Sequence, residues 1–251
     1  MGDTIIETIG LTKIYNQNIA VSNLTFKVNE GEIFGFLGPN GAGKTTTLLM
    51  LMGLSQPSGG SAITCGLDPI RNSIEIKKMV GYLPESVGFY DDMTAVQSLK
   101  FIADLNNLHD KIDQAKIFEL LKLVGLYEHK GKKIYAFSRG MKQRLGIAEV
   151  LLKDPKVMFL DEPTLGLDPD GAIQLMELIK SLNRERNISV LLSSHNLSQV
   201  QKISHRVGIM VKGKMIAEGS IKDLASEKYG VNDEAYSLEE IYMKFFQEVA
   251  Q

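Results

Sequence analysis

Gly38-Pro39-Asn40-Gly41-Ala42-Gly43-Lys44-Thr45 fits the pattern G-x-x-x-x-G-K-[ST], and its flanks decide the fold. An apolar, strand-like run, Glu32-Ile33-Phe34-Gly35-Phe36-Leu37, precedes it, and Thr46-Thr47-Leu48-Leu49-Met50-Leu51 follows as the opening of a helix. Three glycines let the backbone turn inward, so several N–H groups converge on one anion, and the helix N-terminus adds about half a positive charge. Lys44 supplies a mobile cation for the outer phosphates, and the Thr45 hydroxyl suits Mg²⁺. The alternative, a glycine-rich turn that binds nothing, does not account for strand, loop, Lys, Thr and helix standing in register. The segment from Gly38 to Thr46 predicts a nucleoside triphosphate site.

The rest of the composition sets bounds. A chain of 251 residues with 44% hydrophobic content holds one large α/β domain or two small ones. Net charge is −2 and the basic residues are scattered, so no electrostatic footprint for nucleic acid is present. The single cysteine, Cys65, rules out an intrachain disulfide and fits a reducing compartment. Met1 to Gly10 carries Asp3 and Glu7 and lacks an apolar core, so no signal peptide is expected. No apolar run approaches the ~18 residues that cross a bilayer.

Along the chain, β-type runs at Ile5 to Leu11, Val21 to Val28 and Ile33 to Leu37 come first. Pro57-Ser58-Gly59-Gly60 reads as a loop and Ser61 to Cys65 as a short strand. From about Thr94 to Leu152 the periodicity is helical. Val96, Leu99, Ile102, Ala103 and Leu105 recur on one face, as do Ile117, Leu120, Leu121 and Val124. Val157 to Leu160 is a continuous apolar run of buried-strand type, and Ile188 to Leu192 and Val207 to Val211 repeat that pattern with helices between, which predicts an α/β fold with a parallel sheet covered on both faces. The tail shows a capping box, Ser237-x-x-Glu240, ahead of Leu238, Ile241, Tyr242, Phe245 and Val249 at helical spacing, a helix expected to pack on the domain or on a second copy.

Asp161 and Glu162 end the Val157 run. Ligands in open α/β sheets gather at the carboxyl ends of strands, so both carboxylates should face the P-loop. Asp161 is placed to hold Mg²⁺, and Glu162 to orient or deprotonate a water attacking the γ-phosphate.

With both halves of this pattern in place, the chain resembles the nucleotide-binding subunit of an ABC transporter from about residue 4 to 220. The family's distinguishing segment is matched by Phe137-Ser138-Arg139-Gly140-Met141-Lys142-Gln143-Arg144. Ser138 is a credible N-cap, and its hydroxyl, the Gly140 backbone and the helix dipole form an anion site. The resemblance implies that Ser138, Arg139, Gly140 and Met141 close over ATP bound to the opposite subunit of a head-to-tail dimer. It also implies that Tyr15 lies against adenine, and that Leu165-Gly166-Leu167-Asp168 communicates across the dimer through Asp168. His195 matches the switch histidine, which joins Lys44 and Glu162 at the γ-phosphate. The implied fold is a P-loop NTPase (RecA-like) core with a mixed or parallel sheet, an N-terminal antiparallel β subdomain and an inserted helical subdomain. Its expected limits are 1–230 for the nucleotide-binding domain, about 86–155 for the helical subdomain, and 231–251 for a C-terminal helical tail.

Two positions depart from the family pattern. Glu85, in Gly81-Tyr82-Leu83-Pro84-Glu85, stands where Gln is usual. A carboxylate there strengthens the field at a metal but sits near Asp161 and Glu162, so its reading stays open between Mg²⁺ ligand and loop hinge. Arg139 stands where Gly is commonest, and could add a phosphate or cross-dimer contact. Ser-Arg-Gly-Met-Lys-Gln-Arg together with Leu-Pro-Glu looks most like ATPase subunits of ABC-2-type exporters. The implied partners are ATP, Mg²⁺, a second nucleotide-binding subunit (identical or not) and a transmembrane permease on whose cytoplasmic face the protein sits. Competing readings are a soluble ABC-type ATPase acting on ribosomes or DNA, a P-loop kinase or GTPase, and a weakly hydrolysing regulatory subunit.

Overall fold

A computed structural model of the protein describes residues 3–108, 110–229 and 236–250, the side chains of 248–250 excepted. β1 (Thr4–Tyr15) and β2 (Asn18–Asn29) form a long hairpin. Asn16 and Gln17 between them both have positive φ, the backbone that a two-residue turn needs to match right-twisted strands. β3 (Ile33–Leu37) leads into α1 (Lys44–Leu51), after which β4 (Gly59–Thr64) returns to pair antiparallel with β1. α2 (Ser73–Met79) and β5 (Val80–Leu83) precede the helical insertion of α3 (Ala95–Leu105), α4 (Gln114–Leu123) and α5 (Arg139–Leu151). The chain then alternates β6 (Val157–Asp161), α6 (Pro169–Arg186), β7 (Ser189–Ser194), α7 (Leu197–Ile203) and β8 (Arg206–Val211). It closes with β9 (Lys214–Gly219), α8 (Ile221–Tyr229) and α9 (Leu238–Ala250).

The described strands make two sheets: an antiparallel one of order β2-β1-β4, and a six-stranded one of order β5-β6-β7-β3-β8-β9. In the larger sheet β5 to β8 run parallel and β9 joins antiparallel. Side chains alternate across it, as pleating requires. Phe34, Phe36, Phe159 and Leu191 point to the face covered by α1 and the antiparallel sheet. Ile33, Leu37, Met158, Leu160, Val190 and Leu192 point to the face covered by the remaining major helices. Phe26, Phe34 and Phe36 pack with centroids 5.0 to 5.8 Å apart, each buried ring contributing about 1.5–3 kcal/mol.

Three expectations need correction or completion. Gly59 and Gly60 belong to β4 rather than to the loop before it. Gly60 has φ +75°, and a Cβ there would stand 2.2 Å from the Gly10 carbonyl oxygen, so the glycine permits close strand contact. Leu105 is 63% exposed rather than on the buried face of α3, because it stands two residues, over half a turn, beyond Ala103. The capped tail helix packs on the domain itself: Leu238, Ile241 and Phe245 are buried in the main core, and Leu238 N–H donates to Gln201 Oε1 at 2.8 Å. Ser237 N–H donates to Glu240 Oε2 at 2.8 Å, and Glu240 N–H returns a bond to Ser237 Oγ at 3.3 Å. The side chain of Val249 and the expected boundary at 230/231 lie outside the described residues.

Candidate nucleotide site

The P-loop connects the carboxyl end of β3 to α1, and its glycines are individually required. Gly38, Gly41 and Gly43 have φ of +154°, +79° and +102°, and a Cβ on Gly38 or Gly43 would meet the Met210 or Ala20 carbonyl oxygen at 2.3 or 2.5 Å. α1 begins at Gly43 with no side-chain cap, which leaves its first N–H groups for an anion. A cavity of about 340 Å³ opens over this turn, walled by Tyr15, Ala20, the residues Asn40 to Thr46, Glu85 and Glu162.

Lys44 is buried, and its ammonium donates to the Gly38 carbonyl at 2.7 Å and the Pro39 carbonyl at 3.3 Å. Thr45 Oγ1 donates to Asp161 Oδ2 at 2.7 Å, and Ser193 Oγ donates to Asp161 Oδ1 at 2.5 Å. The same Ser193 hydroxyl accepts the Glu162 N–H at 3.0 Å. Adjacent parallel strands β6 and β7 thus fix both members of the acidic pair from one neighbouring residue. Among the described residues no group of three His, Cys, Asp or Glu side chains is arranged to hold a metal alone. Thr45 and Asp161 offer two hard oxygen donors side by side, which fits Mg²⁺, an ion that takes few protein ligands beside phosphate oxygens.

Glu162 has φ +46°, a left-handed backbone that non-glycine residues adopt only where the surroundings hold them. Its Oε2 is 2.8 Å from His195 Nδ1 and accepts the His195 N–H at 3.3 Å. Oε1 lies 3.3 Å from Lys44 Nζ, an ion contact without hydrogen-bond alignment, and is buried with no hydrogen-bond partner among the described residues. A carboxylate oxygen in that state has acceptor capacity to spare, and Glu162 is one of the residues that wall the cavity. Nearby, Thr164 Oγ1 donates to Gln199 Oε1 at 2.7 Å, tying the loop after Glu162 to α7.

The remaining predicted residues fall at the rim or elsewhere. Tyr15 is 44% exposed at the cavity mouth, its hydroxyl 3.2 Å from Ser55 Oγ and its ring 4.6 Å from Lys13 Nζ. Glu85 lines the cavity, and burial, then Asp161 and Glu85, push the Tyr82 phenol up to about 12. Ser138 caps α5 by accepting the Met141 N–H at 3.2 Å. Ser138, Arg139, Gly140 and Met141 line a separate hollow of about 420 Å³ with Asp168, which shares no residue with the P-loop cavity. The Arg139 guanidinium lies over Gly166, where a Cβ would meet its Nη1 at 2.4 Å. A third hollow, about 250 Å³, sits at the amino ends of β6 and β7 among Glu30, Asp154, Lys156 and Arg186, and has no glycine cradle. Ser193 carries no motif signal, since a serine in a buried strand is an ordinary occurrence.

A glycine cradle, a buried lysine and an acidic pair at the carboxyl ends of parallel strands define a P-loop nucleotide-binding protein. The family model described as ABC transporter matches residues 21–165. The bacitracin transport ATP-binding protein BcrA of Bacillus licheniformis is 45% identical over 215 residues, covering 86% of this chain and 69% of that protein. The linearmycin resistance ATP-binding protein LnrL of Bacillus subtilis (strain 168) is 34% identical over 226 residues, covering 90% of this chain and 72% of its own. A solved ATP binding subunit of an ABC transporter superposes with a TM-score of 0.82 at 27% identity, covering 97% of this chain and 100% of that one. The chain belongs to the ABC transporter family, as an ATP-binding subunit. No helix among the described residues is long and apolar enough to cross a membrane.

Proposed function

We propose that the protein hydrolyses ATP as one half of a head-to-tail pair and thereby drives a separately encoded permease, an exporter. The observation that carries the chemical part is Glu162, which lines the P-loop cavity with its Oε1 3.3 Å from Lys44 Nζ and accepting no hydrogen bond from the described residues. Water bound there gives its proton to Glu162 as its oxygen bonds to the γ-phosphorus, and the bond from that phosphorus to the β–γ bridging oxygen breaks. Lys44 compensates the charge on the outer phosphates, the Gly38 to Thr46 backbone orients them, and His195 steadies Glu162 and the γ-phosphate. Thr45 and Asp161, with Glu85 as a further candidate, hold Mg²⁺, which neutralises phosphate charge when bound. Tyr15 offers its ring to adenine at the rim.

The pairing reading is supported by the separateness of the Ser138 hollow. A capped helix N-terminus with Arg139 beside it attracts anions, yet it lies apart from the chain's own cradle. Ser138, Arg139, Gly140 and Met141 close over the nucleotide of the opposite subunit, with Asp168 at the contact. ATP joins the halves and its hydrolysis releases them, so the differential affinity for ATP and ADP does the coupling. The names of BcrA and LnrL, bacitracin transport and linearmycin resistance, support export by a membrane partner, with this chain on the cytoplasmic face. The test is Glu162→Gln with ATP: a stable dimer holding two unhydrolysed nucleotides is expected, and a variant that turns over normally overturns the assignment.

A further inference from the structure

The tail helix reaches the nucleotide site. Tyr242 of α9 lines a small cavity of about 80 Å³ together with Gly38 and Pro39 of the P-loop, His195, and Leu197 at the start of α7. Its placement follows from the helix period. Leu238, Ile241 and Phe245 are buried against the domain, and Tyr242, one turn from Leu238, is carried to the edge of that stripe facing the P-loop. The ring stacks on Phe246, centroids 5.8 Å apart and planes 19° from parallel, which restricts its rotation. α9 is in turn pinned to α7 by the Leu238 N–H bond to Gln201 Oε1. α7 starts directly after His195, capped by Asn196, and Gln199 on it holds Thr164. One short helix therefore links the tail, His195 and the loop behind Glu162.

We propose that Tyr242 is a positioning residue of the ATPase site: its ring forms a wall that keeps His195 in working register beside Gly38 and Pro39. This rests on the reading of His195 and Lys44 as site residues. The ring acts by shape, since its hydroxyl makes no hydrogen bond among the described residues, so phenylalanine should serve and smaller side chains should not. Displacements of about 1 Å at a catalytic group cost up to about 100-fold in rate, and a wall behind the group should cost less.

The test is steady-state ATPase kinetics of the full chain, with ATP titrated against each variant and thermal melting measured alongside. Tyr242→Ala and Tyr242→Leu should lower kcat about 5- to 20-fold, leave the Kd for ATP within about twofold, and melt within a few degrees of the parent. Tyr242→Phe should restore kcat, and Met243→Ala, on the exposed side of the same helix, should change nothing. If the alanine variant does not fold, the leucine variant decides. Parental kcat in Tyr242→Leu overturns the proposal, as does a loss of kcat matched by an equal loss of ATP affinity. Turnover surviving in Lys44→Ala overturns the site reading itself, whereas an inactive Lys44→Ala beside a fully active Tyr242→Leu overturns only the role of Tyr242.

Discussion

The two helix N-termini that offer themselves to phosphate are built in opposite ways. α1 starts at an uncapped glycine over a buried lysine, and everything around it is tied together: Thr45 to Asp161, Asp161 to Ser193, Ser193 to Glu162, Glu162 to His195. α5 starts at Ser138, whose hydroxyl already serves Met141, and stands exposed with Arg139 laid over Gly166. The first is a closely tied cradle and the second an exposed helix start that favours an anion. The division of labour proposed above between two nucleotide-binding subunits would use that contrast: depth and rigidity where chemistry occurs, exposure where another molecule must arrive.

The sharpest way to break the contrast is at the cradle. Lys44→Ala removes the cation facing the outer phosphates, and equilibrium titration should find ATP affinity lowered on the order of 10²-fold or more. Glu162→Gln should keep binding and lose hydrolysis by about 10²-fold or more, read as phosphate release in a single turnover. Ser138→Arg acts on the other half alone: light scattering should find no ATP-dependent dimer in a Glu162→Gln background, with binding by the monomer intact. Ser193→Ala should cost about 1–3 kcal/mol of stability through the lost hydroxyl bond to the buried Asp161 carboxylate, while the Glu162 N–H keeps the Ser193 carbonyl at 3.2 Å, and should lower kcat about 10-fold by loosening Asp161.

The smallest effect on the site comes from the far end of α5. Burial pushes Glu149 up to about 7, against a lowering influence from the Ser98 hydroxyl that donates to it at 2.8 Å. A carboxyl whose pKa is higher folded than unfolded binds more protons in the native state, so its contribution is fully present below about 4.5 and lost as pH rises towards about 7. The loss is on the order of 2–3 kcal/mol. Glu149→Gln should flatten the fall of melting temperature over that window, with ATP turnover changed little. A pH profile identical to the parent's would remove this account of Glu149.

Most of the cradle was legible because its parts are contiguous in the chain. Gly38 to Thr45, the Asp161-Glu162 strand end and His195 after a buried strand each announce themselves within a few residues, and β3, β6, β7 and β8 each carry a mainly apolar stretch. What escaped is what only packing creates. Ser193 matters through its neighbour across the sheet, Asp161, with which it pairs in register. β5 is four residues long and contains a glycine. The β8–β9 hairpin turns at Lys212 and Gly213, both at positive φ, and lysine in place of asparagine or aspartate mutes the usual turn signal. Gly59 and Gly60 read as loop because glycine marks loops more often than tight strand contact. Tyr242 lies 47 residues beyond His195, a separation that no motif spans.

With Glu162 as the proposed base, its left-handed backbone sets stability and activity against each other at a single residue. Glycine or asparagine fits φ +46° more comfortably, so a screen that rewards heat tolerance alone has a local reason to discard the carboxylate. On the proposed role of Glu162, variants enriched in this way would gain in folding while losing turnover.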